Sequence, residues 1–509
     1  VRNPVAILWI FSCVMLAALP GHAAPTEAGG PGPGAFPCPI PSAPVALGAA
    51  QWNGWGRDLN NSRYQPEPAI PAADVPRLAL KWAFGFVGGP VFGQSTIVDG
   101  RLFVTGAAGR IQALDAKRGC SYWSVDTNSS VATALIVGEL SAPRKFFALP
   151  KLKRKNAHIE IDKPPSAVLF GDSAGFVSAL DAQHGTLLWK VLADTVGSGR
   201  ISGSPTLYKN RLFVPVNTEE HGTAPAAASV VALDVATGSV VWRVALPRSD
   251  AGLSIVSAPT LDVGRELLYV ATAPAPHRDA PPASEEPTGV DGIVALDLKD
   301  GHVHWSRALD PGSPTGGLAG GPAGGGQGPP ILRNALGGRQ VILAGPDSGV
   351  VFGLDPNADG AILWQSRLAL DHAAALPQYG SAADYRSVYV GSSDGLSALN
   401  IGTGETRWSA PAPTPACSWG ERDCAHGQSQ ALTVMPGIVF AGALDGHLRA
   451  YSTIDGRVVW DFDTARSYRC VNGISVSGGP LDHAGASIVN GMLYIKSGDA
   501  LLAFSVDGK

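Results

Sequence analysis

The sequence predicts an all-β protein, an eight-bladed β-propeller of four-stranded blades. Three observations carry that expectation. The composition favours turns over helices, with 63 Gly, 41 Pro, 3 Met and 16% charged residues among 509. A motif, A-L-D-x-x-x-G-x-x-x-W, recurs seven times along the chain. An eighth copy is split between the two ends of the repeat array.

The recurring motif reads ALDAKRGCSYW (113–123), ALDAQHGTLLW (179–189), ALDVATGSVVW (232–242) and ALDLKDGHVHW (295–305). Looser copies are GLDPNADGAILW (353–364), ALNIGTGETRW (398–408) and AYSTIDGRVVW (450–460). Each reads as a hairpin: an apolar strand ends at Ala-Leu-Asp, a turn carries Gly, and a second strand runs to Trp. Upstream of most copies lies a second strand pair, such as STIVDGRLFVTGAAGRIQALDA (95–116), turned at Asp99-Gly100. Four strands per repeat make one blade. A blade cannot bury both faces alone, so the Trp is expected to wedge between neighbouring sheets.

Ring closure follows from the split copy. LLAFSVDGK (501–509) is a motif without a Trp, and Trp82 in LALKWAF is a Trp without a motif. Together they complete an eighth blade, which removes the open sheet edges of a linear array. The alternative is a seven-bladed ring with Trp82 outside it.

The flanking regions read differently. Residues 1–24 have the form of a signal peptide: Arg2, an apolar run over Val5–Leu19, then Gly21-His22-Ala23-Ala24. The run is shorter than the roughly 20 residues a membrane span needs. The expectation is a periplasmic or secreted protein that does not span the membrane after signal cleavage. Residues 25–50 form a Pro/Gly/Ala linker, and 51–509 the propeller. The net charge of −4 is small for this length and points to no nucleic-acid partner. Export permits disulfides. Cys417 and Cys424 flank a short loop and are the expected bridge, while the pairing of Cys38, Cys120 and Cys470 stays open. The sequence has no C-x-x-C-H, so no covalently attached haem is expected.

Some motif matches read as structure. GDSAG (171–175) fits G-x-S-x-G, but other repeats carry GAAGR, GSSDG and GALDG at the same place, so Ser173 belongs to a β-turn. DPNADG (355–360) opens like a calcium loop, yet position twelve is Ser366 rather than Glu. His302 and His304 alternate on a strand where they could share a face, and read as surface or packing residues rather than ligands. KLKRK (151–155) reads as a solvated loop or a patch for an acidic partner.

The tandem motif is similar to that of the pyrroloquinoline quinone (PQQ) repeat family, the eight-bladed quinoprotein alcohol dehydrogenases and their non-catalytic relatives. QWNGWGRDLNNSRYQ (51–65), RISGSP (200–205), DGHLRAY (445–451), GGPLDHAG (478–485) and NGMLYIKSG (490–498) resemble the polyvinyl alcohol dehydrogenase branch. The resemblance implies oxidation of secondary alcohols to ketones with PQQ and Ca²⁺, and electron transfer to a cytochrome c. It implies a metal-binding carboxylate at Glu219 or Glu220, and cofactor contacts from Arg200 and Asn472. It assigns no catalytic base: 310–330 holds one acid, Asp310. Three positions depart from the family pattern. Val256 replaces a stacking Trp, Pro274 a metal-binding Asn, and Asp347 a cationic donor to the quinone. A non-catalytic binding or assembly scaffold is therefore the alternative.

Overall fold

A computed structural model describes residues 36–39, 43–48, 51–89, 93–140, 165–194, 199–218, 227–246, 253–255, 257–274, 292–309, 328–345, 349–368, 380–392, 394–414, 417, 427–428, 430–481 and 483–509. Their strands form eight antiparallel sheets, one per blade, plus one two-stranded ribbon. Blade 1 comprises Thr96–Val98, Arg101–Thr105, Arg110–Asp115 and Ser121–Asp126, from the axis outward. Blades 2 to 7 repeat this order, blades 3 and 4 with an extra two-residue inner strand (Gly199–Arg200, Leu253–Ser254), and have outer strands Leu187–Leu192, Val240–Ala245, Val303–Ala308, Ala361–Arg367, Thr406–Pro411 and Val458–Asp463. Blade 8 takes Ser487–Val489, Met492–Ser497 and Ala500–Val506 from the C-terminal end and Leu78–Gly85 from the N-terminal side. Trp82 pairs with Ala503, as the split motif requires.

The structure explains each letter of the motif. In Ala113-Leu114-Asp115 the register slips between Ala113 and Leu114, a bulge that recurs in blades 1 to 7 and turns the strand end. The Asp caps the following turn: Asp181 Oδ1 accepts from the Gln183 and His184 amides at 3.0 and 2.7 Å. The Gly has two jobs. It holds φ between 68° and 78°, and its bare Cα seats the indole of the preceding blade. A Cβ on Gly238 would lie 2.7 Å from Trp189, and one on Gly404 would lie 2.3 Å from Trp364. The seated indole then donates to the carbonyl just past the Asp: Trp123 to Ala182, Trp189 to Val235, Trp364 to Ile401 and Trp408 to Thr453, at 2.9–3.2 Å. These four Trp residues thus weld blade n to blade n+1 by area burial and one directed bond.

The closing blade departs from this scheme at both joints. Trp82 sits against Gly119, but its indole N–H is enclosed without an acceptor. The carbonyl it would use, Ala116, takes the Tyr494 hydroxyl at 2.9 Å instead. Trp460 donates to Leu78 at 3.0 Å and meets Phe504 edge-on.

The region read as a linker is docked where it is described. Cys38 is bridged to Cys120, Cys38 donates its amide to Ser121, and Val45 enters the core between blades 1 and 2. Cys470 is a buried free thiol, pushed up to about 11 by burial. Cys417 is disulfide-bonded, and its expected partner Cys424 lies outside the described residues. No helix among the described residues is long and apolar enough to cross a membrane.

Candidate functional site

A propeller concentrates chemistry on its axis, where one strand from every blade meets the others. Here residues 51–65 close one end of that axis. Trp52 exchanges backbone bonds with Ile97 of blade 1, and Asn53 brackets Val137 of blade 2, accepting and donating at 2.8 Å. Leu59 and Asn60 bond to Leu261 and Leu332 of blades 4 and 5. Ser62 accepts from Ala383 of blade 6, Arg63 and Gln65 pair with Val434 of blade 7, and Gln65 reaches Ile488 of blade 8 at 2.7 Å. Leu59 also packs among blade 3 side chains such as Phe213. The segment is an axial plug.

Arg63 is a fully buried cation within it. It is 1% exposed and lies over the rings of Trp52 and Trp55, at 5.3 and 5.1 Å. Its donors go to neutral oxygens: Trp55 O at 2.7 Å, Gln94 Oε1 at 3.1 Å, Thr433 Oγ1 at 3.2 Å and Leu432 O. Burial pushes its pKa down to about 9. One strand further out, Lys496 is buried and donates to Gly93 O at 2.6 Å and to Thr105 O and Oγ1 at 3.2 Å. Burial pulls it to about 7. Two enclosed cations therefore flank Gly93-Gln94 with no acid among their hydrogen-bond partners. Beside Arg63 the Trp55 indole N–H is enclosed without a partner. Arg63 and Lys496 already donate to protein oxygens, so an anion on the axis would meet their charge rather than free donors. For calcium the described residues supply no group of three His, Cys, Asp or Glu side chains.

The expected site residues divide. Arg200 lies in a two-residue strand at the opposite end of the axis from the plug, paired with Asn217, and is exposed. Glu219 and Glu220 follow the strand Arg211–Thr218 and lie outside the described residues, as do Val256, Asp310 and Asp347. KLKRK lies outside them too. Pro274 ends a strand of blade 4, opposite Leu253. Asn472 is described, and both its polar atoms engage one residue. It accepts from the Gly85 amide at 3.1 Å and donates to the Gly85 carbonyl at 2.8 Å. It sits at the rim of a shallow crevice with Phe86, Arg110 and Gln112.

Sequence reasoning missed a device. Asn53, Asn217 and Asn472 each bracket one backbone residue: Val137, Ile255 and Gly85. A side-chain amide carries one donor and one acceptor in peptide geometry, so it can substitute for a strand where none is available. Asn217 so holds Ile255 of blade 4 next to Val256. For Asn217 the sequence signal was its place at the end of an apolar strand; Asn53 and Asn472 lie outside strands. The expected turns are present. Asp172 accepts from the Ala174 and Phe176 amides and Ser173 bonds to Ser130, while Asp355 accepts from Asn357. His302 and His304 share a face, with ring centroids 5.9 Å apart.

Fold and repeat together define a PQQ-type propeller. A family model described as outer membrane protein assembly factor BamB matches residues 173–357 and 347–500. Polyvinylalcohol dehydrogenase from Pseudomonas sp. is 36% identical over 90% of this chain and 77% of its own length. The protein of the same name from Sphingopyxis sp. is 33% identical over 93% and 79%. Among solved structures, quinohemoprotein alcohol dehydrogenase from Comamonas testosteroni superposes with a TM-score of 0.63 at 17% identity, covering 90% of this chain and 81% of that one. BamB from Moraxella catarrhalis superposes at 0.53 and 16%, covering 84% and 99%. The chain belongs to the PQQ-repeat quinoprotein alcohol dehydrogenase family, on the side of the polyvinyl alcohol dehydrogenases.

Proposed function

We propose that this protein is a periplasmic or secreted PQQ-dependent dehydrogenase. It oxidises secondary hydroxyl groups, such as those of polyvinyl alcohol, to ketones and passes electrons to a cytochrome c. The observation that carries the reading is the 36% identity to a polyvinylalcohol dehydrogenase across nearly the whole described propeller. Bound PQQ would supply the two-electron acceptor, with calcium as the polarising ion. The chain's own part is to bind and orient. Arg200 and Asn472 would face the cofactor, Glu219 or Glu220 would hold the metal, and the buried cations Arg63 and Lys496 would favour an anion on the axis.

The departures at Val256, Pro274 and Asp347 favour a second reading, a scaffold that has lost the cofactor. One experiment separates the two. The full chain is incubated with PQQ and Ca²⁺, desalted, and examined for retained quinone absorbance and for dye reduction with secondary alcohols. Retention and turnover, both lowered in Glu219→Gln or Glu220→Gln, are the expected result. A protein that retains no quinone under these conditions is a scaffold.

A further inference from the structure

A crevice opens on the Arg200 face, between blades 8 and 1. The second strands of blades 1 and 3, Arg101–Thr105 and Arg211–Thr218, hold the same place in their blades, and Arg200 pairs beside the end of the latter. Just past the matching end in blade 1, Ala107, Arg110 and Gln112 form one wall of the crevice. Phe86 and Val87, which follow the outer strand of blade 8, form the other, with Asn472 on the rim. The space is about 270 Å³ with its open mouth, room for a short run of a chain rather than for a cofactor.

Gln112 carries the chemistry. It alternates with Arg110 along the strand Arg110–Asp115, so both face the crevice. Gln112 is 8% exposed, and its amide makes no hydrogen bond to any described residue. Unlike the Gln428 and Gln430 side-chain carbonyls, which are sealed without a partner, its amide is open to the crevice. A nearly buried amide offers a donor and an acceptor together, and leaving both unused is costly. The other polar groups are engaged. Arg110 spends Nε and Nη2 on Asp126, at 2.7 and 3.0 Å, so no unpaired charge lines the crevice. Asn472 brackets Gly85. Phe86, Ala107 and Val87 are apolar, and Val87 is 60% exposed.

We propose, on the reading that a polymeric secondary alcohol is the substrate, that this crevice binds a stretch of the same chain at a distance from the reacting hydroxyl. A chain that alternates methylene with hydroxyl groups matches both parts of the lining. Its methylenes cover the apolar wall, and an O–H both donates to and accepts from the Gln112 amide. An ion finds no unpaired charge here. A sugar ring finds no open aromatic face, since Phe86 is 5% exposed. A second point of contact holds a long chain more tightly than a small alcohol, which can occupy one site only.

The test uses the full chain without PQQ and measures binding of short polyvinyl alcohol by calorimetry, with 2,4-pentanediol and dextran for comparison. Polyvinyl alcohol should bind saturably. Affinity should fall about fivefold in Gln112→Leu, which keeps the size and removes the amide, and about tenfold or more in Ala107→Trp, which fills the crevice. In the PQQ-loaded chain the same variants should raise KM for the polymer and leave kcat, and KM for 2,4-pentanediol, unchanged. If Gln112→Leu fails to fold, Ala107→Trp gives the same reading. A loaded chain that oxidises neither alcohol overturns the dehydrogenase reading, while polymer binding that is lost in Ala107→Trp still upholds the crevice. The crevice is overturned as a polymer site if polyvinyl alcohol does not bind saturably, if both variants bind it as the parent chain does, or if dextran displaces it at an equal concentration of hydroxyl groups.

Discussion

The outer belt and the axis of this ring are built on opposite plans. In the belt one device repeats: the Gly of one blade seats the Trp of the last, as Gly238 does Trp189 and Gly456 does Trp408. On the axis the plug meets the same inner-strand position in blade after blade, but never with the same residue. Residues 51–65 meet each blade with a different side chain: Asn53 on blade 2, Asn60 on blade 4, Gln65 on blade 8. The belt makes blades interchangeable and the plug makes them distinct.

The sharpest way to break the comparison is on the axis. Arg63→Ala removes one side chain that bonds Trp55, Gln94, Leu432 and Thr433. It leaves those acceptors enclosed and two indoles without their cation. We predict a loss of about 4 kcal/mol or more in urea unfolding, spread over the whole ring as a single transition. A loss below about 1 kcal/mol would mean that the plug is decoration. In the belt, Gly238→Ala combines a φ of 72° with a Cβ placed 2.7 Å from Trp189. The expected cost is about 2–4 kcal/mol, with quenching or shift of the indole fluorescence at that joint.

These two variants also show what the sequence disclosed. The belt was legible because it is periodic: A-L-D, Gly and Trp recur at fixed spacing, and even Trp82 could be assigned to the last strand. The Gly was read as a turn residue. Its second task, seating an indole, needs the neighbouring blade to be seen. The plug was not legible, since Asn53, Asn60 and Arg63 have no partners within a short stretch of chain. The Cys38–Cys120 bridge was hidden in a segment whose Pro/Gly composition marks a linker. For the candidate site, Arg200 and Asn472 are expectations from resemblance to relatives alone, and the structure shows Asn472 engaged with Gly85.

A third prediction concerns pH. With Lys496 at about 7 in the folded chain and near its ordinary 10.5 when unfolded, the unfolded state binds more protons between those values. Stability should therefore rise with pH from about 7 to 10, by up to ~1 kcal/mol per unit, and fall as pH drops back through 7. Lys496→Met should flatten that slope in denaturation curves taken across the range. An unchanged slope would remove Lys496 as its source. The smallest effect is expected at the closing joint. Tyr494→Phe frees the Ala116 carbonyl, and the partnerless Trp82 N–H lies beside it to take over. The cost should stay below about 1 kcal/mol, less than Trp189→Phe, where no substitute donor is at hand.

The plug has one more consequence, in time rather than in energy. Gln65 meets Ile488 across 423 positions of sequence, and Arg63 meets Thr433 across 370. A segment made before every blade must wait for the inner strand of the eighth before its bonds can form. Contacts so distant along the chain slow folding and make it the step most exposed to misassembly. By the same logic, once the plug is seated, release requires several blades to part together. Such a molecule persists by the height of its unfolding barrier as much as by its equilibrium stability.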